Sequence, residues 1–215
     1  METSPAPAAI PRSLFIFSIF YGGMVCIAGV LGNKLVALGP LAVESGIFAF
    51  LLLVVTSSAV AEAHGREVAN KLVLFGFIPL VFAAILIELV LALPPAEAMD
   101  AERLSAFGLI LGQSARMMVA GLIAYGISQM LNVTIFSALK KGAGQLLWLR
   151  AAIASVASQI IDTLLFITIA FYGVFPIGGI LVGQMLAKVV LSILLVPALV
   201  YLFLAIGRKL DRRAL

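Results

Sequence analysis

The stretch SQIIDTLLFITIAF, from Ser158 to Phe171, decides the fold because it is apolar almost throughout and yet contains Asp162. A helix needs about 20 predominantly apolar residues to cross the hydrocarbon core of a bilayer. An Asp near the bilayer centre costs roughly 2.5–3.5 kcal/mol on insertion scales, so it normally faces the interior of a helix bundle and finds a partner there. The stretch therefore predicts a membrane-spanning helix with one polar face turned inward.

The composition of the whole chain extends this interpretation. Hydrophobic residues make up 63% of the 215 residues and charged residues only 11%, and the mean hydropathy is +1.21. Ordinary soluble domains are far less apolar. We expect an all-α integral membrane protein with six transmembrane helices in one bundle over residues 13–206. A disordered tail at 1–12 is expected to precede it and a basic cytoplasmic tail at 207–215 to follow it.

Apolar runs define the expected crossings, and two parts of the pattern are irregular. Residues 33–45 are apolar but carry Gly39 and Pro40, so we expect a re-entrant or interfacial segment, whose backbone needs protein or a water-filled cavity to satisfy it. The fourth run is longer than one crossing, which indicates tilt or a projection into the cytoplasm. The expected spans are Ser13–Gly32, Gly46–Ala63, Leu72–Leu93, Leu104–Ala138, Leu146–Phe175 and Gly178–Ile206.

Basic residues at the ends of these runs are distributed unevenly. Only Lys34 and Arg103 fall on one side of the predicted bundle. Because cytoplasmic loops carry an excess of Lys and Arg, both termini are predicted to be cytoplasmic, and the net charge of +4 indicates topology rather than nucleic acid binding. The basic residues on the other side are Arg12, Arg66, Lys71, Lys140, Lys141, Arg150, Arg208, Lys209, Arg212 and Arg213.

Three of the spans carry polar side chains at helical spacing, and a bundle is expected to turn these faces toward one another. The residues are Tyr125, Gln129 and Asn132 in the fourth span, Ser155, Gln159, Asp162, Thr163 and Phe166 in the fifth, and Gln184, Lys188 and Ser192 in the sixth.

Two roles for Asp162 remain open. It can form a structural ion pair with Lys188 or Arg116, since each buried charge needs a partner. It can instead read a ligand in a pocket near the membrane midplane, assisted by Gln159 and Asn132. The two roles are compatible, because an ion pair that faces a wet cavity can also bind solute.

The chain lacks the residues that several classes of enzyme require. One Cys and one His leave no cluster with metal-ligand spacing, so neither metal nor cofactor is expected. The chain has no GxxxxGK[ST], GxSxG or HExxH, which argues against ATP hydrolysis and familiar intramembrane proteolysis. A membrane enzyme acting on lipid, built on the cluster Glu62, His64, Arg66 and Glu67, is a minor alternative, as is a scaffold that transports nothing.

Motifs in the second half of the chain carry a family resemblance. They are AYGISQMLNVTIFSALKK (124–141), LWLR (147–150), ASVASQIIDTLLFITIAFYG (154–173) and KVVLSILLVPALVY (188–201). Together with Asn33 and Lys34, and with Glu62 and Gly65 before a basic patch, they make the chain resemble the vitamin uptake transporter family, which includes bacterial queuosine-precursor transporters. The chain departs from the family at Ser58 and Asn132, where members commonly place aspartates, so Asp162 is the principal membrane carboxylate.

The resemblance implies import of a small-molecule deazapurine, a 7-deazaguanine with a cyano or aminomethyl substituent, across a bacterial inner membrane. Alternating access without ATP hydrolysis by this chain is the implied mechanism. A substrate-binding subunit of a multi-component vitamin importer, taking another small heterocycle, is the alternative. Contact with membrane lipid is implied, a homodimer is compatible with the size, and no nucleic acid partner is expected.

The resemblance also suggests roles for particular side chains. A carboxylate can accept the adjacent N–H and NH₂ of a guanine-type edge in fork geometry, so Asp162 is the expected reader. Lys188 would hold Asp162 ionised or contact the carbonyl of the ligand. The remaining candidates are Gln159, Gln129 and Asn132 as amides, Phe166 and Tyr125 as stacking rings, and Asn33 and Glu62 as family landmarks.

Overall fold

The computed structural model describes residues 10–39, 41–112, 115–142, 146–174 and 176–212, with the side chains at 41, 42, 115, 141 and 142 left out. Most of the predicted N-terminal tail, Pro40 and the last three residues lie outside this range. The elements in chain order are α1 (Arg12–Gly32), β1 (Leu35–Leu38), β2 (Leu41–Glu44), α2 (Gly46–His64), α3 (Arg66–Ala92), α4 (Ala101–Leu111), α5 (Ala115–Gly142), α6 (Leu147–Phe171) and α7 (Gly178–Arg212).

Six of these helices are long and apolar enough to cross a membrane, namely α1, α2, α3, α5, α6 and α7. The prediction of an all-α membrane protein with six transmembrane helices is confirmed. Two helices extend beyond a predicted bound by more than one turn. α3 begins directly after Gly65, whose φ of +92° lets the chain reverse without a loop. α7 continues to Arg212, so residues 207–212, expected as the start of a tail, are helical.

Helix α2 is the centre of the bundle. It packs against α1, α3, α5 and α7, and 67% of its most apolar stretch is buried, which fits the apolar and small side chains on several of its sides. Its first turn approaches α1 closely, because a Cβ at Gly46 would lie 2.7 Å from the carbonyl oxygen of Ala28. The buried Ser57 and Ser58 bring hydroxyl groups into the interior.

The irregular segment between α1 and α2 is a β-hairpin. β1 and β2 pair in antiparallel register, with Leu35 opposite Glu44 and Leu38 opposite Leu41. Gly39 has a φ of +61°, the conformation such a tight turn requires. The paired strands satisfy each other's backbone groups, which is the condition for non-helical chain close to lipid. β2 packs against α7, and the hairpin thereby returns Glu44 to the bundle.

The predicted single span Leu104–Ala138 is wrong. Two helices, α4 and α5, occupy this part of the chain. The amide of Gly112 donates to the carbonyl oxygen of Gly108 at 2.8 Å, and the backbone of Gly112 then leaves the helical region, which ends α4. At the other end of α4, the carboxylate of Asp100 accepts from the amide of Arg103 at 3.0 Å and caps the helix.

The bundle has two unlike ends. The hairpin end carries β1, β2 and α4 together with the start of α7. The termini end carries the start of α1 and the end of α7, where Asp211 accepts from the amide and the hydroxyl of Ser13 at 2.9 and 2.7 Å. His64 Nε2 lies 2.9 Å from the same hydroxyl, so α1, α2 and α7 are joined there. A cytoplasmic location of the termini stays a prediction.

Candidate functional site

A cavity of about 210 Å³ lies at the hairpin end of the bundle. This volume is far above the roughly 10–15 Å³ that one water requires, so the space can hold a small organic molecule. Its wall is mostly apolar with a few polar groups that converge, which is the usual composition of a small-molecule site. The polar residues of the lining are Asn33, Glu44, Tyr125, Asp162, Gln184 and Lys188.

Asp162 and Lys188 form an ion pair in the wall of this cavity. Lys188 Nζ donates to Asp162 Oδ2 at 2.8 Å, with both side chains less than a tenth exposed. The hydroxyl of Ser128 on α5 contacts Asp162 Oδ1 at 3.3 Å, and Lys188 Nζ lies 5.6 Å from the ring centroid of Phe50. The expected Lys188 pair is therefore present, and it lies where a ligand could also meet it.

Arg116, the other expected partner of Asp162, is directed elsewhere. Its guanidinium donates to the carbonyl oxygens of Ile169 and Tyr172 at the end of α6, the second at 2.7 Å. A cation suits this place because the last carbonyls of a helix carry a partial negative charge. Arg116 thus caps α6.

Glu44 is a residue of the cavity that the sequence patterns did not single out. It lies on β2, and only the hairpin brings it beside α6 and α7. Gln184 hydrogen-bonds to its carboxylate. Burial raises the pKa of the Glu44 carboxyl, and the charge of Asp162 raises it further, whereas Lys188 and the Gln184 hydrogen bond lower it. No periodicity within a predicted span could have marked Glu44, because it precedes the span.

Three other predicted residues contribute to the cavity wall. The hydroxyl of Tyr125 is occupied by contacts to Tyr21 Oη at 3.0 Å and to the carbonyl oxygen of Val73 at 3.1 Å, so its ring rather than its hydroxyl is offered to the cavity. Phe166 packs edge-on against Phe171. Asn33, at the end of α1, donates to the carbonyl oxygen of Ile110 at 2.8 Å and ties α1 to α4.

The predicted amides Gln129, Asn132 and Gln159 do not line the cavity. They are fully buried deeper in the bundle, and we call these three the amide layer. Asn132 Nδ2 donates to the hydroxyls of Ser57 and Ser58, at 3.1 Å each. Within the described part of the chain, the layer keeps four polar atoms without a hydrogen-bond partner, namely Gln129 Nε2, Asn132 Oδ1, Gln159 Oε1 and Gln159 Nε2.

Glu62 lies at the termini end, far from the cavity. Its carboxylate accepts from Arg150 at 2.9 Å and pairs with Lys140 at 3.5 Å. The Arg150 side chain is only 2% exposed. Its guanidinium covers the ring of Phe136 at 4.4 Å from the centroid and donates to the Phe136 carbonyl oxygen. The structure therefore places Glu62 in an ionic network that joins α2, α5 and α6.

Comparisons with known proteins point to transport. The profile of a family described as "Putative vitamin uptake transporter" matches residues 44–202. A protein of Bacillus subtilis (strain 168), "Probable queuosine precursor transporter", is 30% identical over 141 residues, which cover 63% of this chain and 61% of that relative. The match thus spans less than two thirds of the relative's length. No solved structure matched the chain.

Proposed function

This chain belongs to the vitamin uptake transporter family, and from that premise we propose that it imports a queuosine precursor of the 7-deazaguanine class by alternating access, without hydrolysing ATP itself. It is a multi-pass membrane protein, and we place it in a bacterial inner membrane. The observation that carries the proposal is the cavity in which the Asp162 and Lys188 pair meets aromatic rings.

The ion pair suits the polar edge of a guanine-type ring. That edge presents an N–H and an NH₂ side by side, beside a carbonyl group. An ionised carboxylate has about four lone-pair sites, and Asp162 uses one for Lys188 and one for Ser128. The remaining sites can accept the two ligand donors, while Lys188 has further N–H groups for the carbonyl oxygen of the ligand.

The aromatic side chains suit the faces of the ring. Phe50, Tyr125 and Phe166 contribute to the cavity wall from three different helices. Stacking of a base on an aromatic side chain is worth roughly 1–3 kcal/mol and tolerates any planar heterocycle. We therefore assign much of the affinity to the rings, and the choice among planar ligands to Asp162.

The unlike ends of the bundle support alternating access. The cavity is at the hairpin end, whereas the termini end is held together by the network of Glu62, Arg150 and Lys140. The amide layer lies between them, and its unpartnered atoms are costly to bury without hydrogen bonds. We place the amide layer on the path of the ligand, where it forms hydrogen bonds once the network opens.

The alternatives predict different partners. A substrate-binding subunit of a multi-component importer would purify with an ATPase module.

A lipid-modifying enzyme would need free polar groups in the cluster of Glu62, His64, Arg66 and Glu67, but the side chains of three of these residues are engaged. Glu62 pairs with Arg150, His64 contacts Ser13, and Arg66 donates to the hydroxyl of Thr134 at 3.1 Å. A homodimer remains part of the proposal without a designated face.

Uptake into proteoliposomes tests the proposal. A labelled 7-deazaguanine should enter vesicles that contain the purified chain and no nucleotide. Asp162→Asn should abolish entry, whereas Asp100→Asn, the same change at the exposed cap of α4, should leave it unchanged because Asn caps a helix as well as Asp. Uptake that needs added ATP and a second protein would support the multi-component alternative instead.

A further inference from the structure

We propose that the cavity selects a planar heterocycle carrying one positive charge, and that Glu44 is the residue that reads this charge. The inference rests on the proposed function, because the ligand occupies the same cavity. The inference goes further by naming the member of the ligand class that binds best and the residue that decides this preference.

The cavity holds one more carboxylate than ammonium. Among the described residues that line it, Lys188 is the only cation, and it lies 2.8 Å from Asp162. Glu44 lines the same space from the hairpin. When all three are ionised, the site carries one uncompensated negative charge in a largely apolar wall. Glu44 is half-buried, so its charge is partly removed from water and is stabilised by a partner of opposite charge.

The surroundings of Glu44 leave it able to accept a ligand donor. Gln184 supplies a hydrogen bond to the carboxylate, and an ionised carboxylate can accept about three more. The charged groups that act on it are Asp162 from α6 and Lys188 from α7. α1 adds the thiol of Cys26 to the same lining and α5 the phenol of Tyr125. The described residues of α2, α3, α4 and β1 add no titratable side chain to it.

Glu44 can be neutralised in two ways, by a proton or by a cationic group of the ligand. Burial already raises the pKa of its carboxyl, so the proton is bound at a pH where an exposed Glu would be ionised. A cationic ligand needs the ionised carboxylate and competes with that proton. Its affinity therefore rises as pH rises through the pKa of Glu44, as long as the ligand keeps its positive charge. A neutral ligand gains nothing from the ionised form.

Within the 7-deazaguanines, this chemistry separates two substituents. An aminomethyl group is a primary amine, which, like lysine with a pKa of about 10.4, is protonated near neutral pH. A cyano group is neutral. With Asp162 on the ring edge, Glu44 accepts from the ammonium of the substituent, and this charge-assisted hydrogen bond favours the aminomethyl ligand by about tenfold to a hundredfold.

The test compares the binding of the two ligands to the purified full chain, by calorimetry between about pH 4 and pH 8, a range that begins near the usual Glu pKa and extends well above it. The wild type should bind 7-aminomethyl-7-deazaguanine at least about tenfold tighter than the cyano compound at high pH. That preference should shrink at low pH. Glu44→Gln should remove the preference and its pH dependence, and Glu88→Gln, the same change at an exposed site, should remove neither.

The outcomes separate this inference from the proposed function. Equal affinity of the wild type for both ligands, or a preference that Glu44→Gln keeps, overturns the role of Glu44 and leaves the transport proposal standing. Binding of neither ligand by the wild type overturns both. The pH series on the wild type needs no variant, so a preference that stays constant across that series overturns the role of Glu44 even if Glu44→Gln folds poorly.

Discussion

Lys188 on α7 donates to Asp162 on α6 at 2.8 Å, and this contact couples the two helices inside the bundle where the cavity begins. Removing one partner of a buried ion pair leaves an uncompensated charge and costs about 3–5 kcal/mol, whereas replacing both with apolar or neutral groups is often close to neutral. The pair therefore has separable effects on stability and on binding.

The first prediction separates these two effects. Asp162→Asn alone and Lys188→Met alone should each lower the free energy of unfolding by about 3 kcal/mol. The double variant should recover most of that loss and still fail to bind a 7-deazaguanine. Thermal unfolding in detergent and calorimetry on the same samples measure both quantities. Binding by the double variant would show that the pair is structural only.

The second prediction concerns the termini end. Arg150→Met removes a guanidinium that is 2% exposed and leaves Glu62 with Lys140 alone. We expect a loss of about 3 kcal/mol in unfolding free energy, at the lower end of the range for buried pairs because Glu62 is a quarter exposed. Arg66→Met, at an exposed site, should change it by less than about 0.5 kcal/mol. Equal losses in the two variants would contradict this description of the network.

The third prediction tests the packing of α3 against α1 and α5. A Cβ at Gly76 would collide with the hydroxyl of Tyr125 and lie 2.8 Å from Cε1 of Tyr21. Gly76→Ala should therefore destabilise the protein by about 1–3 kcal/mol. A Cβ at Gly23 meets nothing within 4 Å, so Gly23→Ala should stabilise α1 by about 0.5–1 kcal/mol. Thermal unfolding of the two variants measures the difference between their stabilities. A Gly76→Ala variant as stable as the wild type would refute the close contact.

The transmembrane helices could be predicted from the apolar runs of the sequence. Six runs of spanning length define six helices, and lipid leaves few other structures available. The hairpin could not be identified, because the two short and largely apolar runs on either side of Gly39, LVAL and LAVE, fit a strand as well as a short helix. The break after Gly112 was missed because the sequence is apolar on both sides, and a single Gly within such a pattern is a weak signal.

The sequence could predict which side chains face the interior of the bundle, but not which of them reach the cavity. Helical spacing correctly placed Asp162, Gln159 and Gln129 on inward faces, and all are buried. Spacing along one helix does not say which turn meets a cavity, so the amide layer and the cavity residues could not be separated. Glu44 needed the tertiary contact between the hairpin and α7, which no local pattern encodes.

The fourth prediction uses the single cysteine of the chain as a reporter. Cys26 is half-buried and lines the cavity. A membrane-impermeant thiol reagent added to intact cells should modify it, provided that the hairpin end faces outward, and a bound 7-deazaguanine should slow the reaction. Cys26→Ala is the control, because it removes the thiol that the reagent modifies. Modification only after the membrane is opened would place the hairpin end inside the cell and contradict the predicted orientation of the termini.

The central claim is that this cavity binds a 7-deazaguanine through Asp162, and thermal stabilisation of the purified protein tests it most directly. A ligand at 100 times its Kd stabilises the folded state by about 2.7 kcal/mol. We expect stabilisation by 7-deazaguanines but not by riboflavin or biotin, which lack the adjacent N–H and NH₂ of a guanine-type edge, with the effect lost in Asp162→Asn and kept in Asp100→Asn. Stabilisation by riboflavin or biotin alone, or an undiminished effect in Asp162→Asn, would contradict the claim.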